Sequence, residues 1–117
     1  MDKITITGLV ATTPRHLITA EGLPITSFRL ATAEDDGPTN WYTVYTYRKL
    51  SQNTASSVSK GDRVLLTGNL HIRDWDNGER SGTSVEIEAT SIGHDLSYGT
   101  SEFERTSIIK EDGLVSA

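Results

Sequence analysis

A chain of 117 residues, 35% hydrophobic and 7% aromatic, suits one domain with a small core, and association with copies of itself would help to stabilise it. The absence of cysteine excludes disulfides, thiolate metal sites and a cysteine nucleophile. A net charge of −5 argues against a strong, purely electrostatic hold on a polyanion, unless the cations gather on one face.

The N-terminus, Met1-Asp2-Lys3-Ile4, lacks the charged-then-apolar layout of a signal peptide. No apolar run approaches the roughly 18 residues that span a bilayer, so the expectation is a cytoplasmic protein with no membrane partner. Ile4-Thr5-Ile6-Thr7 alternates and continues through Gly8 to Val10, where a first strand ends ahead of Pro14. Thr26 to Thr32 alternates again, and Glu34 to Asn40, with Asp36-Gly37-Pro38, reads as a loop. Trp41 to Tyr47 is rich in aromatic and β-branched residues, the strongest strand signal in the chain.

Arg48 to Ser59 changes period. Leu50, Thr54 and Val58 recur every four residues, which predicts a short amphipathic helix, closed by the Lys60-Gly61-Asp62 turn. Arg63 to Trp75 is a long strand, Asp76-Asn77-Gly78 a hairpin turn, and Thr83 to Ile92 the returning strand. Three strands, a helix and a hairpin make an all-β chain. They match the order of an OB-fold, a five-stranded Greek-key barrel with one short helix between strands three and four. The pattern alone leaves an SH3-like barrel or a sandwich open. The expected organisation is one domain over residues 1–96 and a short, flexible tail over 97–117, where Ser, Thr, Gly and charges replace the alternation.

Residues of equal parity share a face of a strand. Trp41, Thr43, Tyr45 and Tyr47 therefore face one way. In the fourth strand Val64, Leu66, Gly68, Leu70 and Ile72 suit a core, whereas the opposite face carries His71, Arg73 and Trp75. A core would not choose that second set, but a partner with flat π-faces and negative charge fits it, because bases stack on aromatics and cations neutralise phosphates. Trp41, Tyr47 and Trp75 are the stacking candidates, with Arg73, Lys49 and His71 reaching phosphates. Arg15 and Arg29 extend the phosphate contacts, although a surface arginine taken alone is more often simply solvated. Aromatics in small barrels are more often core than platform, and Tyr42 and Tyr45 are assigned mainly to the core. His16 and His94 are read as structural or surface residues.

No phosphate-binding Gly-rich loop, Gly-x-Ser-x-Gly elbow or His-Glu-x-x-His motif occurs, and no metal-ligand spacing. No catalytic residue, metal or cofactor is expected. Asp35-Asp36 and Asp74/Asp76 flank Gly-containing turns and read as solvated loop residues.

Phe28-Arg29-Leu30-Ala31-Thr32, Trp41-Tyr42-Thr43-Val44, Tyr47-Arg48-Lys49-Leu50, Lys60-Gly61-Asp62-Arg63-Val64, Thr67-Gly68-Asn69-Leu70 and Arg73-Asp74-Trp75 together resemble the bacterial single-stranded DNA-binding protein family. The likeness runs through most of residues 3–96. It implies an OB-fold, sequence-tolerant binding and protection of single-stranded DNA in replication, recombination or repair, a nucleoid-associated setting and a homo-oligomer, usually a tetramer. It also implies stacking at Trp41, Tyr47 and Trp75 and phosphate contacts at Lys49 and Arg73. Asp74 and His71 depart from positions where the family often has cations, which should weaken binding. The family's Gly/Pro/Gln-rich linker and acidic, Phe-ended tip are missing, so recruitment of replication or repair enzymes through such a tip is not expected. Two other readings stay open: an RNA-binding or primosome-accessory protein on the same fold, and a protein-interaction module that no longer binds DNA.

Overall fold

The computed structural model describes residues 2–33, 36–106, 108–109 and 115–116. The first two residues of the expected 34–40 loop, and residues 107, 110–114 and 117 of the expected tail, lie outside the described residues. Each period-two segment forms a strand: β1 (Asp2–Val10), β3 (Pro24–Ala33), β4 (Thr39–Tyr47), β5 (Arg63–Asp76) and β6 (Ser81–His94). α1 (Arg48–Ser57) sits between β4 and β5. It stops two residues short of the expected end, because Val58 turns extended.

The strands close on themselves. β1 pairs antiparallel with β5, β5 with β6 and β3 with β4, β4 runs parallel to β6, and β1 meets β3 at Leu9↔Ala31 and Val10↔Leu30. This is the closed five-stranded circuit of an OB-fold. Inside it lie Val10, Phe28, Leu30, Val44, Val58, Val64, Leu66, Ile87 and Ala89. Gly68 permits the closure on one side: a Cβ there would collide with the Glu88 carbonyl oxygen, and the β5–β6 register slips between Thr67 and Gly68.

Sequence reading missed β2 (Arg15–Ile18), which pairs antiparallel with β3 from Arg15↔Ser27 to Ile18↔Pro24. Pro14 precedes this strand rather than ending strand formation. The Gly22 turn (φ +86), set between the apolar pairs Leu17-Ile18 and Pro24-Ile25, was the available signal. A buried polar knot ties β2 and β3 to the helix. The Thr26 hydroxyl donates to the Ser51 carbonyl at 2.9 Å, shares a 2.8 Å bond with the Ser51 hydroxyl, and lies 2.7 Å from His16 Nδ1. Thr46 donates to the Thr26 carbonyl at 2.9 Å.

One core assignment fails. Ile72 is 66% exposed, although it shares parity with the buried Val64 and Leu66. β1 accompanies β5 only as far as Leu70, and β4 meets β6 only at Glu86 to Glu88. Beyond that point β5 and β6 leave the barrel as a two-stranded arm with no second layer, and residues 71–81 are all exposed.

The chain after β6 returns to the barrel. The Asp95 amide donates to the Arg63 carbonyl, His94 lies 3.1 Å from both Asp62 Oδ2 and the Ser101 hydroxyl, and the Arg63 guanidinium stands 4.7 Å from the centre of the Tyr98 ring. Farther on, β7 (Ile108–Ile109) and β8 (Val115–Ser116) pair antiparallel.

Candidate nucleic-acid interface

Register fixes which side chains meet on the outside of the sheet. Residues directly opposite one another point the same way. One outward row runs Arg15, Ser27, Tyr45, Glu88 and Asn69 across β2, β3, β4, β6 and β5. The next runs Arg29, Thr43, Glu86 and His71. Arg73 and Trp75 continue the face along the arm, opposite Ser84 and Gly82. Trp41 and Tyr47 bracket the β4 portion.

The structure therefore gathers some candidates and separates others. Tyr47, His71 and Arg73 line one groove of about 340 Å³, together with Tyr45, Glu86 and Glu88. Trp41, 49% exposed, carries the Arg29 guanidinium 5.2 Å from its ring centre, so Arg29 caps the indole instead of projecting freely. Trp75, 43% exposed, sits on the arm, four residues past His71 and hence about 13 Å farther along the strand. Its indole lies on Gly82, and the space around it is bounded by Asp74, Asp76, Ser81 and Thr83. Lys49 is exposed on α1 and Arg15 on the added strand β2; neither lines the groove.

Three groove residues were not foreseen. Tyr45 is half-buried but faces the groove, which corrects its assignment to the core; its parity with Trp41 and Tyr47 was the signal. Glu86 and Glu88 form the floor, because β6 lies between β4 and β5. Parity set these carboxylates opposite Ile87, but only the parallel β4–β6 pairing places them between the tyrosines and the cations. Arg73 reaches Glu86 at 3.6 Å. Burial, and then Glu88, Tyr45 and Glu86, push the Tyr47 phenol above its ordinary range, so it is a neutral ring at physiological pH. Among the described residues no group of three or more His, Asp or Glu is placed to hold a metal ion.

The face can stack planar rings along β4 and on the arm, and can meet negative charge at its margins. Its floor is acidic, so Coulomb attraction alone does not favour a polyanion there.

Comparison with known proteins agrees with this architecture. The Single-strand binding protein family model matches residues 1–95. The chain is 50% identical over 116 residues to single-stranded DNA-binding protein 2 of Tropheryma whipplei, covering 90% of this chain and 76% of that protein. It is 41% identical over 110 residues to single-stranded DNA-binding protein 1 of Streptomyces coelicolor, covering 86% and 70%. The crystal structure of a small single-stranded DNA-binding protein from Streptomyces coelicolor superposes with a TM-score of 0.78 at 39% identity, covering 84% of this chain and 97% of that one. The second single-stranded DNA-binding protein of Mycobacterium smegmatis gives 0.74 at 29% identity, covering 88% and 97%.

Proposed function

The chain belongs to the single-strand binding protein family, and on that premise we propose that it binds single-stranded DNA without regard to sequence and protects it during replication, recombination or repair. It does so as a binding protein, not an enzyme. Bases stack on Trp41, Tyr47 and Trp75, and Lys49, Arg73, His71, Arg15 and Arg29 meet phosphates. Tyr45 joins the stacking set.

The observation that carries this reading is the outward face itself. Half-exposed aromatics on β4 and on the arm share one continuous sheet surface with Arg29, His71 and Arg73, while the apolar set packs inward. A duplex buries its base faces in its own stack, so stacking rewards only the unpaired strand. Binding the unpaired state then removes hairpins by mass action. The binding unit is residues 1–96, with 97–117 as a short C-terminal tail.

The protein acts as a homo-oligomer, a tetramer by the family's pattern. In support, β1 pairs with β3 only at Leu9 and Val10, which leaves the Asp2–Gly8 side of that strand open among the described residues. An open edge is a template for another strand. Its setting is the cytoplasm, on the nucleoid.

A tryptophan-fluorescence titration tests the function, using an unstructured thymidine oligomer with duplex DNA as control, at low and moderate salt. Quenching by the single strand alone, weakening as salt rises, is expected. A folded protein that shows no quenching at low salt would overturn the reading.

A further inference from the structure

Arg73 is the arginine that lines the groove together with Tyr45 and Tyr47, yet it already has a partner. Its guanidinium lies 3.6 Å from a Glu86 carboxylate oxygen, with the Arg73 side chain 72% exposed and that of Glu86 16% exposed. The two differ in freedom. Glu86 is fixed on the floor, flanked by His71 on β5 and Thr43 on β4, whereas Arg73 stands on the arm, free to swing outward. A strand phosphate approaching Arg73 therefore competes with a carboxylate that does not leave. We propose that Glu86 is an affinity-setting residue of the DNA site: it is the internal counter-ion of Arg73, and strand binding trades the Arg73–Glu86 contact for one between Arg73 and a phosphate.

The proposal rests on the single-stranded DNA reading and adds to it. A cation held by an internal carboxylate contributes less to binding than a free one, because its contact must be broken and the carboxylate remains beside the incoming phosphate. Truncating Arg73 in the native chain should then cost little. The same truncation should cost more once Glu86 is neutralised. Glu88, the other floor carboxylate, makes no ion pair among the described residues, so it repels phosphate directly and should show no dependence on Arg73.

The test is a double-mutant cycle on the full chain, with affinity for a thymidine oligomer measured across salt concentrations for the native protein, Glu86→Gln, Arg73→Ala and the pair. Glu86→Gln should tighten binding about two- to five-fold, the range that breaking a solvent-exposed ion pair supports, and steepen the salt slope by up to about 0.7, the value for one phosphate of a single strand. The gain should shrink when Arg73 is alanine, because only the direct repulsion between Glu86 and the phosphate is then relieved. Glu88→Gln should tighten binding equally with or without Arg73. Thermal melts confirm folding, and Glu86→Ala replaces Glu86→Gln if the latter lowers the melt. Unchanged or weaker binding by Glu86→Gln overturns the proposal, as does a gain that is undiminished in the Arg73→Ala background. A native protein that does not bind the oligomer instead removes the functional reading itself, and the proposal with it.

Discussion

The indole of Trp75 rests on Gly82 across the β5–β6 ladder, where a Cβ at position 82 would stand 2.8 Å from Cζ2 and 3.0 Å from Cε2. Glycine is thus the seat of the ring, leaving the opposite face of the indole for a base. Gly82→Ala should tilt the ring off this seat. Because the arm lies beyond the core, the melting temperature should hold while oligomer affinity falls. The loss should approach that of Trp75→Ala, about 1–3 kcal/mol for one stacked base. Titration and melting of both variants check this; full affinity in Gly82→Ala would mean that the seat does not orient the ring.

Trp41 has one face shared with Arg29, 5.2 Å from its ring centre. Trp41→Ala should also weaken binding by about 1–3 kcal/mol, and Trp41→Phe by less, since a ring remains. Arg29→Ala removes a cation–π contact worth about 0.5–1 kcal/mol at an exposed site. It should shift the tryptophan emission even without DNA. An unchanged emission spectrum would show that Arg29 does not sit on the ring in solution.

The barrel was legible because the residues that build it obey a two-residue period: Ile87 and Ala89 on β6 and Val64 and Leu66 on β5 are buried where parity puts them. Parity failed at Ile72, because alternation shows which side a residue faces but not whether anything covers that side. It failed differently at Glu86 and Glu88. Their orientation was plain, yet their place beneath the tyrosines depends on β6 lying parallel to β4, a long-range pairing that no local pattern encodes. β2 was lost because four residues around a polar His16 carry too few apolar positions to mark a strand.

Thr26 is fully buried and serves as the hub joining Ser51, His16 and Thr46. Thr26→Val keeps the shape but deprives the Ser51 hydroxyl of its 2.8 Å partner and His16 Nδ1 of its 2.7 Å partner, leaving the two only their longer 3.4 Å contact with each other. A buried group left fully unsatisfied costs about 1–3 kcal/mol, and the long remaining contact puts the expected cost toward the lower end of that range. Chemical denaturation should show a loss of that size in Thr26→Val. Adding Ser51→Ala should cost less than its effect alone, since it removes a stranded group. Oligomer affinity should stay at the native level in both variants.

Arg48 opens α1 with φ +59, while Tyr47 before it is extended and makes no side-chain cap bond. An L-residue in this region is strained by about 1–2 kcal/mol, and glycine escapes that strain while losing about 0.5–1 kcal/mol to the freedom of the unfolded chain. Arg48→Gly should therefore raise stability by up to about 1 kcal/mol, and Arg48→Val, with its branched Cβ, should lower it. Urea midpoints decide the matter. A destabilised Arg48→Gly would mean that contacts of the arginine side chain outweigh the backbone strain.

Tyr47 makes the alkaline limb of stability testable. Burial, reinforced by Glu88, Tyr45 and Glu86, holds its phenol above the ordinary value of 10.0 in the folded state. The unfolded chain releases this proton first. The stability tied to the neutral phenol is thus complete below pH 10 and is lost as pH climbs through the higher folded-state value. Tyr47→Phe cannot ionise, so its stability should fall less between neutral pH and about pH 11 than that of the native protein. It should also lack one tyrosinate absorbance step on the alkaline side of the ordinary value when the folded protein is titrated. Because phenylalanine keeps the ring, Tyr47→Phe should bind the thymidine oligomer at neutral pH about as the native protein does, whereas Tyr47→Ala should lose about 1–3 kcal/mol. Parallel alkaline declines in the native protein and Tyr47→Phe would show that the phenol feels neither the burial nor the carboxylates of the groove.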